Sequence, residues 1–89
     1  MIFAVPIIML MKLNEPIVVI TKFTKQSAQP VIFKYAGKKW LVEKINLVYE
    51  KRAGNGKLVY FSVTSQDNYF KLVFDTNNLK WRLEEIYHE

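Results

Sequence analysis

The chain of 89 residues contains no cysteine, a single histidine and only three glycines. Without cysteine it has no disulfide framework and no thiolate chemistry, which suits a small domain in the reducing cytoplasm. The one histidine, His88, lies next to the C-terminus, where a side chain is seldom positioned well enough for catalysis. One histidine and no cysteine leave too few ligands for a zinc site, and three glycines provide no phosphate-binding loop. We therefore expect a non-enzymatic protein without a metal, a cofactor or a small-molecule substrate.

Arginine is also scarce, since Arg52 and Arg82 supply only two of the thirteen positive charges in a chain of net charge +5. Residues 12–57 contain ten basic and three acidic side chains, whereas residues 58–89 contain three and five. Lysine is a hydrated point charge, while the planar arginine fork suits specific recognition of phosphates and bases. A lysine-rich surface therefore predicts solubility and a loose affinity for polyanions.

The chain also lacks a hydrophobic run long enough to span a membrane as a helix. Its apolar opening, MIFAVPIIMLM, ends at Lys12, whereas a spanning helix needs roughly 20 apolar residues. Pro6 would disrupt a helix at the centre of this segment, and no basic region precedes it as in a secretory signal. We expect a cytoplasmic protein that does not bind a membrane.

Two interpretations of the opening segment stay open. Residues 2–10 are predicted to form an edge strand, where Pro6 would be tolerated. Alternatively, residues 1–11 form an N-terminal extension, and translation naturally begins at Met9 or Met11. An exposed apolar segment of this kind would seek a partner, such as a second copy of the chain.

The remainder of the chain has the composition of β-strands, with 51% hydrophobic and 15% aromatic residues overall. Apolar residues recur with a period of two in several segments, which is typical of strands with one buried face. Residues 39–51 are too long for a single flat strand, and a bend near Glu43-Lys44 would put both apolar sets of this segment inside. One set is Trp40 and Val42, and the other is Ile45, Leu47 and Tyr49. The predicted strands cover residues 16–24, 30–35, 39–51, 57–65 and 69–75.

Turn-forming residues separate these segments. Asn14-Glu15-Pro16 predicts a turn before the strand of residues 16–24. Ala36-Gly37-Lys38 predicts a tight turn in which Gly37 takes a positive φ. Asn55-Gly56 between two apolar runs is the strongest hairpin signal of the chain. Further turns are predicted at residues 66–68 and 75–78, where Asp and Asn side chains bond to their own backbone.

The last segment, residues 79–88, fits two conformations. A strand would align Trp81, Leu83 and Tyr87 on one face, although Glu85 interrupts them. A helix capped by Asn78 would align Leu79, Leu83 and Ile86. The residues alone do not decide between the two.

Short strands with regular turns between them predict an all-β fold. We expect residues 1–89 to form a single domain. Its predicted architecture is an antiparallel meander of five or six strands curled into a partly open small barrel.

Four segments of the chain carry a recognisable pattern: PVIFKYAGKKWLVEKI, YFSV, YFKLVFD and KWRLEEIY. They contain a Pro-x-x-Phe-x-aromatic-x-Gly pattern, an aromatic residue and a Val in the next strand, and a closing Trp-x-Leu strand. With these segments the chain resembles a family of short uncharacterised bacterial β-domains. The resemblance covers about residues 30–88, favours a strand at the C-terminus and implies no established activity; Tyr35 replaces a more usual Trp. The matching positions are Pro30, Phe33, Tyr35, Gly37, Trp40, Val42, Trp81 and Leu83.

Carboxylates offer no pattern for acid–base catalysis. Glu84 and Glu85 are adjacent, so on a regular strand their side chains would point to opposite faces. The segment DTNN, residues 75–78, has the start of a calcium loop but lacks the later glycine and glutamate. A turn explains this segment better.

Basic and aromatic residues interleave in FKYAGKKW, YFK and KWR, as on surfaces that stack bases and neutralise phosphates. Small β-barrels often have this function. The same alternation also arises when aromatic residues face a core and lysines face solvent. We predict low-specificity nucleic-acid binding. If Tyr60 and Tyr69 share an exposed face with Lys34 and Lys71, these two tyrosines would also stack on bases. The candidate residues are Lys34, Lys38, Lys39, Lys44, Tyr60, Tyr69 and Lys71.

The alternative function is that of a protein-interaction module. Apolar residues 1–11, exposed strand edges and the lack of catalytic groups suit strand addition or a homodimer formed through the N-terminal strand. Packing of this segment on its own core would make it structural, whereas packing across a two-fold axis would make it an interface.

Overall fold

The computed structural model describes residues 9–25 and 27–88, with only the backbone of Met9. These residues form one antiparallel sheet of seven strands in the order β3-β2-β1-β7-β6-β5-β4, which does not close on itself. The predicted all-β fold is confirmed, with seven strands instead of five or six. No helix in the described part of the chain is long and apolar enough to cross a membrane. The strands are β1 (Met9–Phe23), β2 (Ala28–Tyr35), β3 (Lys38–Leu41), β4 (Lys44–Ala53), β5 (Gly56–Ser65), β6 (Asn68–Asp75) and β7 (Lys80–His88).

Strand β1 continues through Asn14-Glu15-Pro16, where the sequence predicts a turn. Asn14 has a φ of 52°, and the pairing with β7 shifts register between Lys12 and Glu15. Asparagine tolerates this left-handed conformation, so the residue forms a β-bulge within the strand. On both sides of the bulge, from Met9 to Ile17, β1 pairs with β7, and from Val18 onward it pairs with β2. One strand thereby serves both parts of the sheet.

The predicted edge strand of residues 2–10 lies mostly outside the described residues, as does most of the alternative extension. Met9 and Leu10 belong to β1 and lie opposite His88 and Tyr87 of β7. At this end, the described part of the chain supplies a neighbouring strand on one side of β1 only.

Two hairpin turns set the register of the neighbouring strands. Ala36 and Gly37, with φ of 54° and 72°, form a two-residue turn between β2 and β3. Lys38, which the sequence includes in this turn, is already the first residue of β3. In the β4–β5 hairpin the central residues are Gly54 and Asn55, so this turn lies one residue earlier than Asn55-Gly56 predicts. Gly54 has a φ of 59°, as expected for a hairpin turn with glycine in first place.

Side-chain oxygens stabilise the β6–β7 turn, as the sequence predicts. Asp75 Oδ1 accepts a hydrogen bond from the Asn77 N–H at 2.8 Å, and Asn78 Oδ1 accepts one from the Lys80 N–H at 3.0 Å. Strand β7 follows at once. The strand alternative for residues 79–88 is therefore confirmed, and the helix alternative is wrong.

Two residues, Val42 and Glu43, connect the opposite ends of the sheet. They link β3 to β4, which are the first and last strands in the sheet order. The Val42 N–H donates to the Val31 carbonyl of β2 at 2.9 Å, and the Glu43 N–H donates to the Thr64 carbonyl of β5 at 3.0 Å. The predicted bend is confirmed at this point.

The β2–β3 hairpin packs over the inner face of β6, which brings strands that are not neighbours into contact. The Phe70 ring centroid lies 4.9 Å from that of Phe33 and 5.0 Å from that of Trp40. Leu47, which the sequence predicts to be inside, is 55% exposed. The buried core consists of Phe33, Phe61, Val63, Phe70, Leu72, Phe74, Trp81 and Leu83.

Candidate nucleic-acid interface

One part of the sheet carries all of the net positive charge. Residues 16–42, which include the second part of β1 together with β2 and β3, contain five lysines and no acidic side chain. The rest of the chain contains eight basic and eight acidic residues. We call residues 16–42 the basic lobe. Its lysines are Lys22, Lys25, Lys34, Lys38 and Lys39.

Two lysines of the basic lobe lie directly opposite each other. The turn at Ala36-Gly37 sets the hairpin register, which pairs Lys34 with Lys39. Because the core residue Phe33 points inward, Lys34 points outward. Both lysines are exposed, and within the described residues neither has an ion-pair or hydrogen-bond partner. Like charges opposite each other destabilise a sheet, and an anion bound between them would relieve the repulsion.

A comparable pair of cations elsewhere in the sheet is neutralised. Arg52 lies opposite Lys57 across β4 and β5, but the Lys57 Nζ is 2.8 Å from a carboxylate oxygen of Glu50. The lack of such a carboxylate in the described surroundings distinguishes Lys34 and Lys39 from this pair.

Lys38 of β3 and Lys44 of β4, which the sequence also predicts to bind nucleic acid, have different surroundings. The Lys38 Nζ donates a hydrogen bond to Gln66 Oε1 at 2.7 Å and lies 4.3 Å from the centroid of the Trp40 ring. Both partners are uncharged, so the positive charge of Lys38 is not neutralised by them. Lys44 lies at the start of β4, opposite Thr64. Lys38 therefore adds to the basic lobe, whereas Lys44 lies outside it.

The predicted stacking tyrosines lie on the outer face of β5 and β6 and already contact other tyrosines. Tyr60 is only 7% exposed, and its ring lies parallel to that of Tyr49, with centroids 4.6 Å apart and an interplanar angle of 4°. Tyr69 stacks on Tyr87 with centroids 5.6 Å apart and an angle of 25°. Each ring has an aromatic neighbour, and Tyr60 offers little free surface to a base.

Lys71 lies on the same face and is held by Glu85. The Lys71 Nζ is 3.2 Å from a carboxylate oxygen of Glu85, and the lysine side chain is 19% exposed. Burial lowers the pKa of Lys71, but hydrogen bonds and charge interactions with Glu85 and Tyr49 outweigh the burial and raise that pKa above its usual value. Because Glu85 neutralises it, Lys71 belongs to an internal ion pair and is a poor phosphate ligand.

The structure does not bring the predicted residues onto one face. Lys34 lies on β2, and strands β1 and β7 separate it from β6 in the sheet. Lys34, Lys38 and Lys39 lie together in the basic lobe, whereas Tyr60, Tyr69 and Lys71 share the outer face of β5 and β6.

Glu84 and Glu85 lie on the same face, contrary to the prediction from regular alternation. The register of β7 against β6 shifts at this point, and Glu84 is the extra residue of a β-bulge. Within residues 9–25 and 27–88, no group of acidic residues and histidine forms a metal site. A groove of about 350 Å³ is lined by both carboxylates and by Lys12, Asn14, Tyr60 and Arg82. Its cations and anions balance, so the groove favours neither sign of ligand.

Exposed aliphatic side chains on the outer face of the basic lobe form a feature that the sequence interpretation missed. Val18 and Ile20 of β1 are 70% and 57% exposed, and Leu41 of β3 is 55% exposed. Ile20 lies opposite Ile32, and Ile32 lies opposite Leu41. We call Ile20, Ile32 and Leu41 the aliphatic row. The sequence contains a signal for this feature, because the apolar residues of PIVVI and PVIF are consecutive and therefore lie on both faces of their strands.

No protein-family model, curated protein or solved structure matches the chain. The resemblance to bacterial β-domains therefore stays a prediction. Its positions Phe33, Trp81 and Leu83 are buried in the core, and Gly37 has the positive φ of its turn.

Proposed function

We propose that the protein is a non-enzymatic module that binds nucleic acid with low sequence specificity through the basic lobe. Lys34 and Lys39 contact phosphates. Lys38, whose Nζ lies over Trp40 on the other face of β3, adds a third positive charge to the lobe next to the turn. The observation that carries this proposal is the Lys34–Lys39 pair, which has no neutralising partner among residues 9–25 and 27–88 and lies in a lobe without carboxylates. A polyanion supplies the negative charge that the lobe lacks.

Low specificity follows from the residue types of the lobe. It contains no arginine, and lysine lacks the planar fork that pairs with base edges. Stacking on Tyr60 and Tyr69 is not part of the proposal, because these rings pack on Tyr49 and Tyr87. The cysteine-free composition suits such a module in the cytoplasm.

The experiment that tests the proposal compares two double variants in a fluorescence-anisotropy titration with a labelled oligonucleotide. Lys34→Gln/Lys39→Gln removes the opposed pair. Lys51→Gln/Arg52→Gln is the matched control, because it removes two charges from exposed strand positions outside the lobe. We expect a loss of affinity of about tenfold or more in the first variant at low salt, and of less than about twofold in the control. Equal losses, or no binding by the unaltered protein, would overturn the proposal.

Self-association is a second candidate function, favoured by the N-terminal part of β1. Leu10 and Met11 are 52% and 49% exposed, and a second copy would cover them. Sedimentation equilibrium of Leu10→Lys/Met11→Lys against the control Leu47→Lys/Val48→Lys tests this candidate. A dimer lost only in the first variant supports it, and a monomer at high concentration excludes it.

A further inference from the structure

The aliphatic row lies beside the Lys34–Lys39 pair on one outer face of the basic lobe. Val18 is opposite Lys34 and two residues from Ile20 on the same strand. Neighbouring strands are about 4.8 Å apart, so the row spans about 10 Å across the sheet. A shallow groove of about 190 Å³ is lined by Val18, Ile20, Ile32, Phe33, Lys34 and Lys39. A ligand that covers the row would therefore meet aliphatic groups and ammonium groups together.

The charge of the lobe argues against a second copy of the chain as the ligand on this face. Two lobes packed face to face would bring two Lys34–Lys39 pairs together, and neither lobe contains a carboxylate. Unpaired like charges in an interface oppose association. The ligand must therefore combine negative charge with apolar surface. Single-stranded nucleic acid and an anionic lipid surface both do so.

The lengths of the side chains favour nucleic acid over lipid. The lysine ammonium sits at the end of a flexible four-carbon stem, so it reaches further from the sheet than the methyl groups of Ile20 or Leu41. On a membrane the long stems of Lys34 and Lys39 would carry their ammonium groups back to the headgroups, but only the three side chains of the row would enter the acyl region, and membrane binding scales with the apolar area buried there. A single strand offers phosphates and base faces side by side, so long lysines and short aliphatic side chains both find partners.

Building on the proposed function, we infer that the ligand is single-stranded nucleic acid whose base faces cover the row of Ile20, Ile32 and Leu41. In a duplex the base faces are stacked on one another, and only the phosphate backbone meets the lobe. Every base has an apolar face, so this contact adds affinity without sequence specificity. The basic lobe therefore prefers a single strand to a duplex.

A double variant that removes apolar surface but no charge tests this inference. Ile20→Thr/Leu41→Thr replaces two members of the row with a residue that suits β-strands. Leu47→Thr/Val48→Thr is the matched control, since these residues of β4 are 55% and 49% exposed. Each protein is titrated with a labelled single strand and with a hairpin duplex at the same low salt concentration, after circular dichroism has verified its fold.

We expect the unaltered protein to bind the single strand about tenfold more tightly than the duplex. Ile20→Thr/Leu41→Thr loses most of this preference and keeps its duplex affinity, whereas the control variant behaves like the unaltered protein.

Other results would overturn the inference in distinguishable ways. Equal affinity for single strand and duplex, lost in Lys34→Gln/Lys39→Gln, would overturn it and leave the proposed function intact. No binding of either nucleic acid would overturn both. Binding to phosphatidylglycerol vesicles that requires Ile20 and Leu41, without a preference for single strands, would assign the row to lipid instead.

Discussion

Lys34 and Lys39 project from adjacent strands directly opposite each other, in a lobe that contains no carboxylate. Repulsion between the two ammonium groups destabilises the folded chain when no anion is bound. Phosphates bound by the two ammonium groups would turn this unfavourable pair into a binding site. The same two side chains therefore oppose folding stability and support binding.

Replacing Lys34 with glutamate should stabilise the protein and weaken its binding of nucleic acid. Lys34→Glu converts the repulsion with Lys39 into attraction, so we expect the free energy of unfolding to rise by roughly 0.5 kcal/mol at low salt. Urea denaturation measures this change. Lys51→Glu is the control, since Lys51 lies opposite the uncharged Leu58 and no gain is expected there. A less stable Lys34→Glu protein would contradict the repulsion.

The Lys71–Glu85 ion pair predicts a loss of stability at alkaline pH. The pKa of Lys71 is raised in the folded protein. At any pH below the usual lysine pKa, the ion pair therefore makes its full contribution to the free energy of unfolding. That contribution is lost as the pH rises through the folded pKa. Lys71→Met should lower the free energy of unfolding by about 1–3 kcal/mol at neutral pH and make stability decline less over the alkaline range. Urea denaturation at neutral and at alkaline pH measures the free energy of unfolding of Lys71→Met and of the unaltered protein. An equal loss of stability with rising pH in both proteins would count against the prediction.

A buried hydroxyl on β5 should be replaceable with a gain in stability. Ser65 has no exposed surface, and its Oγ has no hydrogen-bond partner among the described residues. Ser65→Ala removes an unsatisfied polar group, so we expect the free energy of unfolding to rise by about 1 kcal/mol. The half-buried Ser62 on the same strand provides the control variant Ser62→Ala, with an expected change within about 0.5 kcal/mol. A destabilised Ser65→Ala protein would show that the hydroxyl is satisfied after all.

Gly56 is required because the β6–β7 turn lies against it. A Cβ at this position would lie 2.5 Å from Thr76 Oγ1 and 2.7 Å from Asn77 Oδ1. Hydrogen bonds to the backbone of the β4–β5 hairpin hold both side chains, so Gly56→Ala should cost about 1–3 kcal/mol in thermal denaturation. Asn55→Ala, at the neighbouring exposed turn position, should cost less than about 0.5 kcal/mol. Equal costs would mean that the turn moves aside easily.

Alternation and turn residues predict most of the fold because both act locally. They do not predict bulges, which depend on pairing with a neighbouring strand. Asn14 illustrates this limit, since a left-handed asparagine suits a turn and a bulge equally and only the register against β7 decides. The prediction that Glu84 and Glu85 point to opposite faces is wrong for the same reason, because one extra residue in β7 places both side chains on one face.

The candidate site shows the same division between local and long-range information. The opposition of Lys34 and Lys39 follows from the two-residue turn at Ala36-Gly37, so the sequence contains it. The burial of Tyr60 does not follow from its strand alone, because the ring that covers it, Tyr49, comes from the neighbouring strand β4. Alternation correctly places Tyr60 opposite the core residues of β5 but cannot show that its surface is occupied.

The most direct test of phosphate binding by the basic lobe is the salt dependence of its affinity for a single-stranded oligonucleotide. Each phosphate contact on a single strand contributes roughly −0.7 to the slope of log K against log salt concentration. If Lys34 and Lys39 each contact a phosphate, the slope for Lys34→Gln/Lys39→Gln should be shallower than that of the unaltered protein by about 1.4. Identical slopes for the two proteins would contradict phosphate binding by this pair.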